Sequence, residues 1–352
     1  MIIRPIAAAA LLAVLAAGAS VSASEPHAIV APVPEGIDAP PIAFDLPIDC
    51  EPGIDCWIFK YVDLDPGPGT ADFGCGSITH DGHKGTDIAL AHFARIGEGV
   101  AVRAAADGIV RAIRDEMPDI PQGRPDSPDV AQRQCGNAVI IDHEAGWTST
   151  YCHLHRDSVR VNPGQTVRSG THIGDVGLSG YTNFPHLHFG VMYQNRVVDP
   201  FTGVSGARSC TIGRAPLWQR QVLDRLPYRS AIIHNVGFSD TIPDAAAIRS
   251  GELTQTLFAP GADSLAFWTE IAGLRKNDLI SMRLTDPSGQ PVALRSERAE
   301  DDQPRIWLAV GVQVSDGTLR QGAYRGEVTV TREGGTGQAR SQRVAFMRIA
   351  YP

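Results

Sequence analysis

The sequence has no excess of positive charge, and this absence limits the partners that the protein can have. Its 352 residues include 31 lysines and arginines against 39 aspartates and glutamates, which gives a formal net charge of -8. Nucleic-acid binding depends on a dense positive surface that neutralises phosphates. We therefore expect no nucleic acid among the partners, and no simple electrostatic adhesion to anionic polymers.

Beyond its N-terminus the sequence also lacks an apolar run long enough to span a bilayer, which takes about 20 residues. The apolar run near the start is shorter than this; it follows Arg4 and precedes the small residues VSA at 21–23. This order is typical of a secretory signal peptide. We predict a signal peptide over residues 1–23 and an exported protein, in the periplasm or outside the cell, with no stable membrane insertion after cleavage.

No C-x-x-C pair occurs, which disfavours a metal site built on thiolates. In an oxidising compartment, the even set of six cysteines indicates three disulfides among fifteen pairings. NAVIIDH and WTSTYCHL flank the short turn EAG like an antiparallel hairpin, which would bring Cys135 close to Cys152 and favours that pair. A Cys50–Cys56 bond would close a small loop and would leave Cys75 for Cys210.

Helical periodicity is scarce, whereas β-branched or alternating runs between glycine- and proline-rich turns are frequent. From about Cys50 to Cys210, runs such as GIVRAIRD, NAVIIDH and HLHFGVMY predict a mostly β domain. From about Ala231 to Pro352, runs such as DSLAFWTEIAG and DLISMRLTDPSG predict an immunoglobulin-like β-sandwich. The expected fold class is mostly β, an antiparallel β-sheet domain followed by a C-terminal β-sandwich.

The segments between these runs suggest domain boundaries. Residues 24–49 are rich in proline and alanine and predict an extended N-terminal arm, either a propeptide or a spacer. Residues 115–134 are charged and hold four prolines, so they predict a long surface loop inserted in the first domain. Residues 213–230 have a helical pattern and predict a connector between a first domain over 50–212 and a second over 231–352.

Nine of the eleven histidines lie between His80 and His188, and this concentration indicates a functional site. Alternate side chains of a β-strand share a face, so HLHF predicts His186 and His188 on one surface. GHKGTDIAL adds His83 and Asp87. Zinc prefers histidine nitrogen and carboxylate oxygen, so these two residues and one histidine of the pair predict a zinc site with a position open for water.

A further pair, His153 and His155, repeats the strand spacing in TYCHLH. The order H-x-x-x-D, then Y-x-H-L, then H-L-H-F closely resembles the LytM/lysostaphin-type zinc metallopeptidases of bacterial cell walls, which have the duplicated hybrid motif fold. The resemblance covers about residues 75–200. Within that range GHKGTDIA, GNAVIIDHEAGWTSTYCHL and PHLHFGV follow one another in the family's order.

The resemblance implies a role for each of five residues. His83, Asp87 and His188 would bind the zinc, and His153 and His186 would orient a water, take its proton and stabilise the oxyanion. Imidazole suits these tasks because its pKa lies close to working pH. The family hydrolyses peptide bonds in peptidoglycan, so the resemblance implies an exported zinc endopeptidase whose partner is the peptide stems of the wall.

The chain departs from the family's usual pattern in the inserted loop, the cysteines at 135 and 152, and the C-terminal sandwich. Because of these departures, the sequence does not decide which bond is cleaved, a D-Ala to diaminopimelate link or a glycine bridge. Two alternative functions also stay open. One is a catalytically silent activator or scaffold for a cell-wall amidase, and the other is an extracellular zinc protease with a substrate outside the wall.

Overall fold

The computed structural model of the protein describes residues 40–206, 210–253, 257–258, 264–313, 319–334 and 337–349. The predicted signal peptide and residues 24–39 of the predicted arm lie outside this part of the chain. Among the helices of the described ranges, none is long and apolar enough to cross a membrane.

The described residues form mostly strands, which confirms the predicted fold class. The strands of the first half are β1 Cys56–Lys60, β2 Thr86–Leu90, β3 Ala101–Arg103, β4 Gly108–Arg114, β5 Asn137–Asp142, β6 Trp147–Leu154, β7 Thr166–Val167, β8 His172–Asp175, β9 His186–Tyr193 and β10 Arg196–Val197. Those of the second half are β11 Ile232–Ser239, β12 Leu257–Phe258, β13 Ser264–Leu274, β14 Leu279–Thr285, β15 Pro291–Arg298, β16 Gln303–Gln313, β17 Gly322–Gly334 and β18 Gly337–Ile349. The helices are α1 Ala94–Glu98, α2 Arg220–Leu223 and α3 Ala245–Ser250, with a single 3-10 turn at Glu144–Gly146.

The main sheet of the first half has the strand order β1-β2-β9-β6-β5-β4-β7, and β10 pairs with β9. All of its pairings are antiparallel. Along β9 the apolar residues Leu187 and Phe189 are fully buried in the core. Because side chains alternate along a strand, His186 and His188 emerge on the other face, as the sequence pattern predicts.

The segment between β4 and β5 has no regular secondary structure, in agreement with its predicted loop character. It is nevertheless anchored, because Met117 and Val130 are buried. The Asn137 side chain accepts a hydrogen bond from the Met117 N–H and donates one to the Met117 carbonyl, both at 2.8 Å. The inserted loop is thus held against the sheet at its base.

The second half is a sandwich of two sheets, β11-β13-β16 and β12-β18-β17-β14-β15. Both sheets contribute to one core, since Phe267 and Ile271 of β13 are buried with Met282 of β14 and Val328 of β17. This arrangement confirms the predicted C-terminal β-sandwich.

The predicted helical connector contains only the four helical residues of α2. Pro216 and Pro227 bound the short stretch, and proline cannot donate the backbone hydrogen bonds of a longer helix. Four of its apolar side chains are instead buried in the core of the first half: Leu217, Trp218, Val222 and Leu226. This stretch is therefore an integral part of the first hydrophobic core.

Three disulfides join all six cysteines, as Cys50–Cys56, Cys75–Cys210 and Cys135–Cys152. The favoured hairpin pair and the two further pairs considered from the sequence are thereby confirmed. The Cys135–Cys152 bond joins the start of β5 to the end of β6, directly beside His153.

The sandwich packs against the main sheet through a buried polar contact. His234 lies 2.8 Å from the Leu90 carbonyl through Nε2 and 2.9 Å from Glu270 Oε2 through Nδ1, and both side chains are fully buried. The Arg305 guanidinium lies over the rings of Phe59 and Phe184, 4.5 Å and 4.8 Å from their centroids. The sandwich therefore covers the edge of the sheet close to His186.

Candidate active site

Three side chains from two neighbouring strands and the turn before them converge in one cluster. His83 Nε2 lies 3.1 Å from Asp87 Oδ1 and 3.2 Å from His188 Nδ1. His188 Nδ1 lies 2.8 Å from the same carboxylate oxygen. These three residues are the ones for which the sequence predicted metal binding, and the fold brings all of them together.

Strand pairing accounts for the convergence. β2 and β9 are antiparallel neighbours in which Asp87 is the direct partner of His188, and Ala89 the direct partner of His186. Direct partners place their side chains on the same face, about 5 Å apart. Gly85 allows the close approach, because a Cβ at this position would lie 2.6 Å from His188 Nε2.

The backbone fixes the orientation of the His83 ring. Its Nδ1 lies 2.6 Å from the Tyr61 carbonyl oxygen, and since a carbonyl only accepts, Nδ1 must carry the proton. Asp63 holds the preceding turn by accepting a hydrogen bond from the Gly82 N–H at 2.9 Å. The lone pair of His83 Nε2 is then left to point into the cluster, which is the usual arrangement of a metal-bound histidine.

The cluster fits a zinc ion in donor type and in spacing. Neighbouring ligand atoms of a tetrahedral zinc lie about 3.3 Å apart when the bonds are about 2.0–2.1 Å long. The three separations of 3.1, 3.2 and 2.8 Å are close to this value. Two imidazole nitrogens and one carboxylate oxygen also match the donor set of catalytic zinc sites, which keep a fourth position open.

Two further histidines adjoin the cluster. The ring of His153 lies 4.6 Å from that of His186 and 6.0 Å from that of His188, measured between centroids. His153 Nδ1 donates to the Ser179 carbonyl and His186 Nδ1 to the Phe184 carbonyl, each at 2.8 Å. Each ring therefore keeps its Nε2 available toward the cluster, and His186 Nε2 lies 3.6 Å from Asp87 Oδ1.

A β-bulge aims the side chain of His153. In the pairing of β5 with β6, Asn137 faces Leu154 and Ala138 faces Cys152, so His153 has no partner across the strands. Its φ of 63° is left-handed, a conformation that non-glycine residues seldom adopt. The bulge turns this ring toward His186, as bulges beside active sites often do.

The buried charges shift the pKa values of the cluster in a consistent direction. Burial by itself raises the pKa of the Asp87 carboxyl, but the adjoining imidazoles of His186, His83 and His188 lower it well below its ordinary value. Burial and the neighbouring histidines lower the pKa of His153 well below its ordinary value. Burial also lowers the pKa of His186, so both free rings are neutral near pH 7.

All five predicted residues line one cleft of about 840 Å³. Gln122 and Gly123 of the inserted loop belong to its wall, and the Gln122 N–H donates to the Thr182 carbonyl at 2.7 Å. The Cys135–Cys152 disulfide lines the cleft as well. The inserted loop is therefore part of the surface that a substrate would meet.

One histidine of the TYCHLH pair lies outside the cleft, and the sequence pattern missed other residues that line it. His155 does not continue the face of His153, because β6 ends at Leu154 and the His155 Nδ1 lies 2.7 Å from Asp119 Oδ2 outside the cleft lining. Phe59 and Lys60 line the cleft, although no motif marks them. His80 also lines it, and burial and Lys60 lower its pKa to about 4.

Residues 81–200 match the family described as Peptidase family M23. This part of the chain is an M23 peptidase domain, in agreement with the resemblance found in the sequence. The matched residues include the whole candidate metal cluster and both free histidines.

The curated relatives resemble the chain over this domain only. Peptidoglycan DD-endopeptidase ShyB of Vibrio cholerae is 32% identical over 117 residues, which is 33% of this chain and 22% of the relative. Murein hydrolase activator NlpD of Salmonella typhimurium is 33% identical over 119 residues, 34% of this chain and 25% of the relative. This chain covers less than a third of the length of the first such relatives.

Among solved structures, a zinc containing peptidase from Vibrio cholerae is 26% identical, with 40% of this chain and 39% of that chain covered and a TM-score of 0.26.

Proposed function

We propose that the protein is an exported zinc-dependent endopeptidase that hydrolyses peptide cross-links of bacterial peptidoglycan. The strongest support for this proposal is that the candidate metal ligands and two further histidines with a free Nε2 line the same cleft. His83 and His188 converge with Asp87 on a common point, while His153 and His186 keep a free Nε2 beside it. The proposed catalytic domain covers residues 50–212, with the sandwich over 231–352.

In this proposal His83, Asp87 and His188 hold the zinc. A bound zinc supplies a water of lowered pKa and a Lewis acid that polarises the scissile carbonyl. The pKa shift of Asp87 supports the assignment, because a ligand carboxylate must be ionised.

His153 and His186 handle protons in the proposed reaction. A neutral ring with its Nδ1 proton donated to a backbone carbonyl has a basic Nε2, which can accept a proton from the attacking water. The same nitrogen, once protonated, can donate to the leaving amine or to the developing oxyanion. Both rings meet this requirement, because Ser179 and Phe184 fix their tautomers.

Only one of the two alternative functions predicts a different cleft. The relative named as a murein hydrolase activator makes a non-catalytic role the main competing function. An activator would have no need of two neutral, oriented histidines beside a complete ligand set. An extracellular zinc protease with a substrate outside the wall would have the same site, so only a substrate can separate it.

Digestion of purified sacculi of known chemistry tests the proposal. We expect zinc-loaded protein to convert cross-linked muropeptide dimers to monomers, resolved by chromatography after glycan digestion. Unchanged dimers with bound zinc would contradict the wall substrate. Unchanged dimers with the protein alone, together with faster release of glycan-free stem peptides by an added cell-wall amidase than by the amidase alone, would favour the activator.

A further inference from the structure

A lysine side chain stands beside the candidate metal cluster, on the side of His83. Lys60 lines the cleft, and its Nζ lies 3.0 Å from His80 Nδ1. The ring of His80 is in turn 4.6 Å from the ring of His83. The ammonium group therefore lies beside the cluster in the cleft, on the side of His83.

A break in strand pairing places Lys60 there. β1 pairs with β2 so that Trp57 faces Ala89 and Ile58 faces Ile88. Regular pairing would next set Phe59 opposite Asp87, but the register shifts, and Lys60 becomes the partner of Asp87. Direct partners share a face, so the shift turns Lys60 to the cleft instead of the core.

Within the described residues the ammonium group of Lys60 forms no ion pair, although burial lowers its pKa and the charge of Asp87, its partner in the strand register, raises it. In the described ranges no carboxylate oxygen lies within the 4.0 Å of an ion pair from its Nζ. Arg305, which packs on the neighbouring Phe59 ring, is by contrast paired with Glu270 at 3.3 Å. An ammonium has three donor positions, and the contact with His80 uses one. The remaining positions are available to a ligand that enters the cleft.

We propose that Lys60 binds a free carboxylate of the substrate on a residue that flanks the scissile bond. This inference rests on the proposed endopeptidase function and deepens it by naming the substrate class. A D-Ala to diaminopimelate cross-link carries such a carboxylate beside the amide nitrogen, whereas a glycine bridge carries none there. Lys60 thus selects diaminopimelate-type cross-links. The carboxylate itself is unchanged while water adds across the amide C–N bond.

The size of the effect follows from the kind of contact. A hydrogen bond between two charged groups contributes about 1.5–3 kcal/mol, which corresponds to about a 10- to 100-fold change in binding. We expect this change mainly in KM, because the carboxylate has the same charge in the ground state and the transition state.

Two synthetic cross-linked peptides provide the test, identical except that one has the free carboxylate and the other a carboxamide. We expect the zinc-loaded protein to prefer the free acid by about 10- to 100-fold in kcat/KM. Lys60→Met should remove this preference through a rise in KM, Lys60→Arg should retain most of it, and Lys276→Met should leave it unchanged. Lys276 is the matched control because it is an exposed lysine of the sandwich, paired with Asp301.

A binding measurement makes the test independent of turnover. Calorimetric titration with the amine product that carries the free carboxylate should show weaker binding to the Lys60→Met protein, with zinc content equal to that of the unchanged protein. Two results would overturn the role of Lys60 but leave the endopeptidase function standing. One is equal cleavage of the acid and the amide peptide by the active protein, and the other is a preference for the acid that persists in the Lys60→Met protein. Failure of the zinc-loaded, unsubstituted protein to cleave either peptide would overturn both.

Discussion

At the scale of single residues, the candidate site depends on which ring nitrogen each histidine keeps free. His83, His153 and His186 each give their Nδ1 proton to a backbone carbonyl. His188 instead presents Nδ1 to the cluster. Backbone carbonyls cannot change protonation state, so they fix these tautomers more firmly than side-chain acceptors would. Each of the four rings therefore turns a nitrogen without a proton toward the cluster.

Substitution of single histidines separates ligand from catalytic roles. His188→Ala should lose both metal and activity, because it removes one of the three proposed ligands. His153→Ala and His186→Ala should keep the metal and lose about 10²–10⁴-fold in kcat, the usual contribution of a general base or acid. Metal content by mass spectrometry and turnover of a cross-linked peptide measure the two effects. Loss of metal from His186→Ala with retention in His188→Ala would reverse the assignment.

Gly85→Ala tests whether the approach of two strands sets the metal geometry. The new Cβ would lie 2.6 Å from His188 Nε2 and 2.8 Å from the Phe189 carbonyl oxygen. We expect the ring to be displaced and the metal affinity to fall by about 10- to 100-fold, as when a supporting contact of a ligand is lost. Competition with a chelating dye measures this. Gly97→Ala is the control, because a Cβ there meets nothing within 4 Å, and equal affinity of both variants would contradict the expectation.

At the scale of elements, regular strands were predictable from the sequence and irregular ones were not. Alternation along HLHFGVMY correctly placed His186 and His188 on one face, because β9 is regular. At TYCHLH the alternation does not continue, since the bulge at His153 breaks it and β6 ends before His155. Lys60 was missed for the same reason. A bulge depends on contacts between strands, and periodicity within one strand carries no signal of it.

The disulfide beside the bulge offers a test at this scale. The His153 N–H donates to the Cys135 carbonyl at 2.8 Å, and its left-handed backbone costs of the order of 1–3 kcal/mol. We expect replacement of Cys135 and Cys152 by alanine to lower the free energy of unfolding by about 3 kcal/mol. It should also reduce the activity of the folded protein at least about 10-fold, because the ring of His153, the proposed general base, would lose its orientation toward the cluster.

Replacement of Cys50 and Cys56 by alanine is the matched control, since this bond closes a loop of sequence separation 6 instead of 17 and does not line the cleft. Chemical denaturation measures the stability, and initial rates well below the melting temperature measure the activity. Full activity per folded molecule without the Cys135–Cys152 bond would contradict this expectation, because it would show that the bulge keeps its conformation without the disulfide.

At the scale of the whole molecule, the sandwich and the peptidase domain share buried surface. Ile232 and Ala272 of the sandwich strands belong to the core of the first half. His234 reaches the Leu90 carbonyl, and Phe184, whose own carbonyl orients His186, packs 5.2 Å from the His234 ring. The sandwich was predictable as a fold, whereas this docking was not, because the apolar pattern of a strand does not reveal which partner covers it.

Truncation measures how far the first half depends on the residues C-terminal to it. A chain that ends at residue 215 loses four side chains of its own core, namely Leu217, Trp218, Val222 and Leu226. We expect it not to unfold cooperatively, since the loss of several large core side chains removes more than the usual stability of a domain. A chain that ends at 230 keeps them and should melt cooperatively, but below the full-length protein. Equal melting temperatures of the two shorter chains would contradict this.

We propose that the ligand cluster and the two free histidines together form a working zinc endopeptidase site. The most direct measurement is hydrolysis of a purified diaminopimelate cross-linked muropeptide dimer by the full chain, first stripped of metal with a chelator and then supplied with one equivalent of zinc. We predict that the stripped protein leaves the dimer intact and that zinc restores its conversion to two monomers, with no restoration in the His188→Ala protein. A dimer that stays intact with zinc bound, or that is cleaved equally by the stripped protein and by His188→Ala, would contradict the claim.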